Sequence, residues 1–145
     1  MKHILVATDG SAGGDRAVDY AAELAKHFGA ELLIVNVIGG YGLPDKVFMA
    51  FSDMQRTWLK QLLESLSAEL LTKARDRARA GGAAMIQLES RTGDVAQTII
   101  DLAREKGCDV IVAGKRGAGA ITQLLLGSVS QKLVSLSPLP VTIVP

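Results

Sequence analysis

A chain of 145 residues, 48% hydrophobic and 21% charged, has the size of one domain and enough apolar material to offset its ordering entropy, which excludes a disordered polar chain. Sixteen Lys+Arg against fifteen Asp+Glu leave a net charge of +1, so no global field favours nucleic acid or an acidic membrane surface, and any anion site must be local. The single cysteine, Cys108, rules out an internal disulfide and a thiolate metal cluster; with no apolar window long enough to span a membrane and no export signal at the start, a cytoplasmic location is expected.

Residues 4–8 read as a short buried strand, and Gly10, Ser11, Gly13 and Gly14 after Asp9 supply turn and cap chemistry. Ala17, Val18, Ala21, Leu24, Ala25 and Phe28 then recur at helical spacing, with Ser11 as the expected cap and Gly29 as the stop. Residues 32–38 repeat the buried-strand pattern. Gly39, Gly40, Gly42 and Pro44 break regular structure after it, which predicts a loop as far as Ala50. Met54, Trp58, Leu62, Leu66, Leu70 and Ala74 mark a long amphipathic helix over residues 51–80, a core or interface stripe ended by Gly81 and Gly82. About thirty residues at 1.5 Å each would span about 45 Å, against a globule roughly 38 Å across, so the first turns are expected to be bent or separate.

Residues 85–89 predict a third, weaker strand. Asp94 or Thr92 would cap the next helix, which turns Val95, Ile99, Leu102 and Ala103 inward and stops at Gly107. Residues 110–113 predict the fourth strand, and a glycine-punctuated connection runs from Gly114 to Gly127. Residues 128–136 form a helix, and residues 141–144 a last strand behind Pro138 and Pro140.

Strands alternating with helices predict a single α/β domain: an open, doubly wound, five-stranded parallel sheet of order 3-2-1-4-5 with helices on both faces. In that order the winding reverses between strands one and four, and such sheets bind ligands at the carboxyl ends of the strands flanking the switch point. Asp9 and Gly114 stand at those ends.

The connection Gly114-Lys115-Arg116-Gly117-Ala118-Gly119 offers three glycines and two cations, and Gly127-Ser128-Val129-Ser130 opens a helix with two hydroxyls. Glycines admit close backbone approach, and a helix start presents amide donors with about half a unit of positive charge, the parts of a phosphate cradle to which Ser128 and Ser130 could add hydroxyl donors. The plain structural reading stands beside it: the glycines turn the chain, Ser128 caps the helix, and Lys115 and Arg116 are solvated charges. Asp9 either accepts hydrogen bonds from its own loop or reaches a ribose hydroxyl or a metal ion.

Several familiar sites are absent. Gly114-Lys115 is followed by Arg116, so no G-x-x-x-x-G-K-[ST] loop exists, and Gly117-Ala118-Gly119 leads to Thr122 where a dinucleotide fingerprint needs glycine. A receiver-type phosphoacceptor lacks its aspartate and lysine, the relevant strand ends reading Ser90-Arg91 and Val144-Pro145. His3 and His27 read as surface histidines and Cys108 as a small buried hydrophobe, so neither a catalytic residue nor a resident metal set is expected.

The segment Gly114-Lys115-Arg116-Gly117, nine residues, then Gly127-Ser128 resembles the G-2x-G-9x-G-[ST] signature of ATP-binding universal stress proteins. The likeness covers essentially the whole chain, through Ile4-Leu5-Val6-Ala7-Thr8-Asp9-Gly10-Ser11, Val35-Asn36-Val37, Thr92-Gly93-Asp94, Leu125-Leu126-Gly127-Ser128-Val129-Ser130 and Pro140-Val141-Thr142-Ile143-Val144. It implies that Gly114, Gly117, Gly127 and Ser128 hold the phosphates and ribose, with the Val129 amide and the Ser130 hydroxyl nearby and Lys115 and Arg116 inside the same signature. It places Ala7 and Asp9 beside the adenosine, the Val37 backbone at the adenine edge and Ala113 beneath it.

The resemblance further implies ATP with Mg2+ or Mn2+ as ligand, a stress-response or signalling role, and a homodimer joined through the last strand, Val141–Val144. Two departures stand out: Ala7, where some members carry proline, and the Gly13-Gly14 pair. Asp9 is the one candidate general base, so slow hydrolysis or none is expected. Two alternatives are an ATP pyrophosphatase-type hydrolase, with Ser11-Ala12-Gly13-Gly14-Asp15 as a variant S-G-G-x-D-S loop ending in Arg16, and an interaction protein that binds no nucleotide.

Overall fold

The computed structural model describes residues 1–39, 44–116 and 126–145. Along the chain lie β1 (His3–Ala7), α1 (Ala12–Phe28), β2 (Glu31–Ile38), α2 (Asp45–Met49), α3 (Asp53–Ala80), β3 (Met85–Thr92), α4 (Val95–Glu105), β4 (Val110–Gly114), α5 (Ser128–Leu136) and β5 (Val141–Val144). All neighbouring strands pair in parallel, in the order β3-β2-β1-β4-β5, as the alternation of elements predicts.

Period-two alternation divides the core into two layers. Ile4 and Val6 point to one face with Ala17, Val18 and Ala21 of α1 and Leu71, Ala74 and Ala78 of α3. Leu5, Val35 and Ile111 point to the other with Ile99 and Leu102 of α4 and Leu133 of α5. The helix starts are fixed by their own side chains: Ser11 Oγ accepts from Gly14 N at 3.2 Å, and an Asp94 carboxylate oxygen accepts from Gln97 N at 3.1 Å. Those two caps match the sequence expectation.

The long helix departs from expectation. A bend or break was expected within residues 51–80, yet α3 is one helix of 28 residues, about 42 Å long. The break falls earlier because Ser52 and Gln55 form a capping box that starts a fresh helix at Asp53, while α2 occupies part of the expected loop. Residues 40–43 of that expected loop lie outside the described residues. Instead of bending, α3 overhangs the sheet. Only Ser67, Leu71, Ala74 and Ala78 are buried, whereas Met54, Trp58, Leu62 and Leu66 are exposed, so that stretch of the expected stripe is not core.

At the edges the sheet shows two characters. β3 runs to Thr92, three residues past its expected end, and carries Glu89 and Arg91, whose side chains pair at 3.2 Å. β5 carries Val141, Thr142, Ile143 and Val144.

Candidate functional site

β1 and β4 lie side by side and separate at their carboxyl ends, β1 into Thr8-Asp9-Gly10 and β4 into Lys115 and Arg116. Gly10 adopts φ +80°, which glycine reaches without penalty, and this turn aims α1 back over the sheet. Short polar side chains hold the turn: Thr8 Oγ1 accepts from Gly10 N at 3.1 Å and Asp9 Oδ1 from Ser11 N at 2.9 Å. Asp9 therefore serves its own loop and also lines the cleft beyond it.

The Gly13-Gly14 pair belongs to the first turn of α1, and the structure gives it a reason. A Cβ on Gly13 would collide with the Arg116 carbonyl oxygen, and one on Gly14 would meet Thr8 Oγ1 at 2.5 Å. From the other side, a Cβ on Gly114 would meet Gly13 O at 2.8 Å. The missing side chains at Gly13 and Gly114 let the start of α1 close on the end of β4, and the one missing at Gly14 lets it close on the turn after β1.

Beyond β4, main-chain bonds fix the rim. Lys115 N donates to Val144 O at 2.7 Å, and Gly127 N donates to Lys115 O at 2.9 Å. α5 starts at Ser128 with Gly127 as N-cap and no side-chain cap, so the expected capping role of Ser128 is not taken. Ser128 is the first helical residue, exposed on the cleft, because the chain enters the helix at a residue without a side chain. The single Ser130 hydroxyl hydrogen faces Gly114 O at 2.7 Å and Lys115 O at 3.0 Å. In this geometry Ser130 braces the end of β4 and does not offer its hydrogen to an anion.

Between these elements lies a cleft of about 330 Å3. Of the residues singled out from sequence, Ala7, Asp9, Val37, Ala113, Gly114, Arg116, Gly127, Ser128, Val129 and Ser130 line it. Lys115 does not; its backbone is used as the tie to β5 and Gly127. Gly117 lies outside the described residues.

Sequence reasoning missed Thr8, Gly14, Val35, Asn36, Val95 and Ile99 as lining residues. Asn36 had a signal, being the one polar residue inside the apolar run of β2. The helical spacing turns Val95 and Ile99 inward, and it is the position of α4 that brings that inward face to the cleft. Among the described lining residues Asp9 is the one acid and Arg116 the one cation. The cleft thus joins apolar walls at β2, β4 and α4 to a polar rim of glycine backbone and the start of α5. Among the described residues no group of three or more His, Cys, Asp or Glu could hold a metal ion, and no helix is long and apolar enough to cross a membrane.

Comparison with known proteins agrees over the whole length. The profile of the family described as "Universal stress protein family" matches residues 1–145. The chain is 37% identical over 150 residues to universal stress protein YxiE of Bacillus subtilis (strain 168), covering 97% of each. Among solved structures, a universal stress protein in complex with cAMP is 29% identical with a TM-score of 0.71, covering 99% of this chain and 96% of that one. The universal stress protein UspA from Lactobacillus plantarum shares the fold at a TM-score of 0.82, with 23% identity, covering 99% of this chain and 97% of the other.

Proposed function

The chain belongs to the universal stress protein family, and from that premise we propose that it binds an adenine nucleotide, ATP in the first place, in the cleft between β1 and β4 and acts as a nucleotide-dependent stress-response module. The observation that carries the reading is the convergence of an apolar slot with a glycine rim at the switch point of the sheet. The base fits the slot among Val37, Val95, Ile99 and Ala113. Asp9 suits a ribose hydroxyl, and the amides of Ser128 and Val129 at the start of α5, with the Arg116 charge and the close backbone approach that Gly114 and Gly127 permit, suit phosphate oxygens. The related structure holding cAMP supports an adenine nucleotide as the ligand class.

A divalent cation fits this cleft only as a companion of the phosphates. Asp9 is the one carboxylate among the described lining residues, and Mg2+ is commonly held by one or two carboxylates plus phosphate oxygens and water. The same scarcity argues for slow hydrolysis or none, because Asp9 Oδ1 already accepts the Ser11 amide and the described lining residues include no second carboxylate or histidine to orient a water. The buried, unpaired Cys108 suits the cytoplasm. The apolar edge strand β5 has backbone groups on its outer side that a second copy would pair, and a homodimer through Val141–Val144 follows from that edge.

Protein purified without added nucleotide, denatured and assayed by mass spectrometry, should release adenine nucleotide, and calorimetry with ATP should show saturable binding. No released nucleotide together with no ATP binding overturns the reading. ATP turnover at ordinary enzyme rates, lost in Asp9→Ala, overturns the binding-module part of it. Sedimentation should give twice the 15.3 kDa chain mass.

A further inference from the structure

Backbone bonding between β1 and β2 stops at a defined place. The register runs from His3↔Glu31 to Ala7↔Val35, and the final bond takes Thr8 N to Val35 O at 3.0 Å. In a parallel pair, residues two apart turn their N–H and C=O groups to the same edge, so Val37 faces the edge that Val35 faces. The Thr8 carbonyl would be the next acceptor in that ladder, for the Val37 amide. A side chain takes it instead: Asn36 Nδ2 donates to Thr8 O at 2.9 Å.

Asn36 is held in this orientation from behind. Ser67 Oγ, on α3, donates to Asn36 Oδ1 at 2.7 Å, and the Ser90 hydroxyl on β3 lies 2.7 Å from Ser67 Oγ. With the one Ser67 hydrogen directed to Asn36, Ser90 donates to Ser67, giving a single-direction chain from β3 through α3 to β1. Turning the amide over would bring Oδ1 against the Thr8 carbonyl and its N–H groups against Ser67. Asn36 and Ser67 are buried, at 9% and 3% exposure. Ser67 does not line the cleft, so any effect it has on a ligand must pass through Asn36.

We propose that Asn36, locked by Ser67, is a positioning residue for base selection: by engaging the Thr8 carbonyl it keeps the Val37 N–H and C=O available, side by side, to the edge of a bound purine. This rests on the adenine-nucleotide reading above. One donor beside one acceptor matches a 6-aminopurine, which accepts at N1 and donates from its exocyclic amine. A 6-oxopurine presents the reverse, a donor at N1 and an acceptor at O6, and meets like against like. Freed from Asn36, the Thr8 carbonyl swings to the Val37 amide and closes the ladder by one more bond, which removes the donor.

The test compares ATP with ITP, which differ at that purine position and share ribose and triphosphate. Wild-type protein should bind ATP at least about tenfold more tightly than ITP. Ser67→Ala and the near-isosteric Asn36→Leu should weaken ATP about tenfold and leave ITP within about twofold, so that the ratio collapses. Leu71→Ala, a buried α3 residue away from the cleft, should lower the melting temperature and keep the ratio. Equal wild-type affinities overturn the proposal, as does a ratio that folded Ser67→Ala retains, or a parallel loss of ATP and ITP. Wild type that binds neither nucleotide sinks the functional reading itself, a result distinct from these.

Discussion

At the carboxyl ends of β1 and β4 the chain leaves the sheet through glycines and short polar side chains, whereas at the amino ends the same strands are stitched shut. There Asp109 accepts from Lys2 N at 2.7 Å and His3 N at 2.9 Å, and Asp109 N donates to His3 O at 2.8 Å. A second cavity, of about 220 Å3, lies at that end among residues such as His3, Glu31, Lys106 and Cys108. Its His3, Glu31 and Lys106 side chains already have partners, His3 Nδ1 lying 3.4 Å from Glu31 Oε2 and Lys106 Nζ 3.6 Å from Glu89 Oε1. The buried polar side chains among the described residues, Thr8, Asn36, Ser67 and Ser130, all belong to the other end. A cavity marks a site when several groups converging on it keep hydrogen-bonding capacity for something else, as the Ser128 hydroxyl and the uncapped start of α5 do at the carboxyl end.

The strongest way to break this contrast is to put a side chain where the carboxyl end has none. Gly13→Val drives a Cβ into the Arg116 carbonyl, and Gly114→Val drives one toward Gly13 O. Either should cost about 2–3 kcal/mol in urea unfolding and reduce ATP affinity at least about a hundredfold by calorimetry. Gly107, at the amino end of β4, has nothing within 4 Å of a built Cβ and only a positive φ of +66° to satisfy. Gly107→Ala should therefore cost about 1 kcal/mol and leave ATP affinity unchanged. A binding loss at Gly107 equal to that at Gly13 or Gly114 would dissolve the distinction between the ends.

Much of the carboxyl end was legible because backbone sites advertise themselves by missing side chains. Asp9 and Gly114 follow apolar runs short enough to be only strands, Gly127 stands just before a helical run, and five such strands alternating with helices leave few topologies. What escaped depends on direction. Ser128 and Ser130 look alike in sequence, but the helix starts between Gly127 and Ser128, which sends one hydroxyl to the cleft and the other under it to Gly114. On α3 the large residues Met54, Trp58, Leu62 and Leu66 repeat every four positions and dominate any reading of periodicity, yet the buried face is Ser67, Leu71, Ala74 and Ala78. Small residues let a helix approach a sheet closely, so the face that packs is the one with the weaker hydropathy signal.

At the amino end the corresponding perturbation is Asp109→Ala, which leaves the Lys2 and His3 amides without their acceptor. A loss of about 1–2 kcal/mol is expected, with ATP affinity unaltered. Those two amides also hold the Asp109 carboxyl below its ordinary range. A carboxylate with a lowered folded pKa stabilises above its unfolded pKa and loses that contribution as pH falls through the folded one. Wild type should therefore lose more stability than Asp109→Asn as pH falls below the ordinary carboxylate range, measured by urea unfolding at each pH. Identical acid profiles would mean that the stitch carries no charge dependence.

The finest test uses Cys108, which sits in the wall of the amino-end cavity. Burial, with the carboxylates of Asp109 and Glu31 nearby, pushes its thiol from the ordinary 9.0 up to about 11. Because the folded form holds this proton more tightly than the unfolded chain, the stabilisation is complete below pH 9 and is lost as pH rises from 9 toward 11. Cys108→Ala should flatten that alkaline loss, while iodoacetamide at pH 8 should label native protein far more slowly than unfolded protein. Bound ATP should leave the labelling rate unchanged except through global stability, since the cleft between β1 and β4 and this cavity share no lining residue. Strong protection by ATP, beyond that expected from the rise in unfolding free energy, would show that the two ends of the sheet are coupled and that the stitched end answers to what the open end holds.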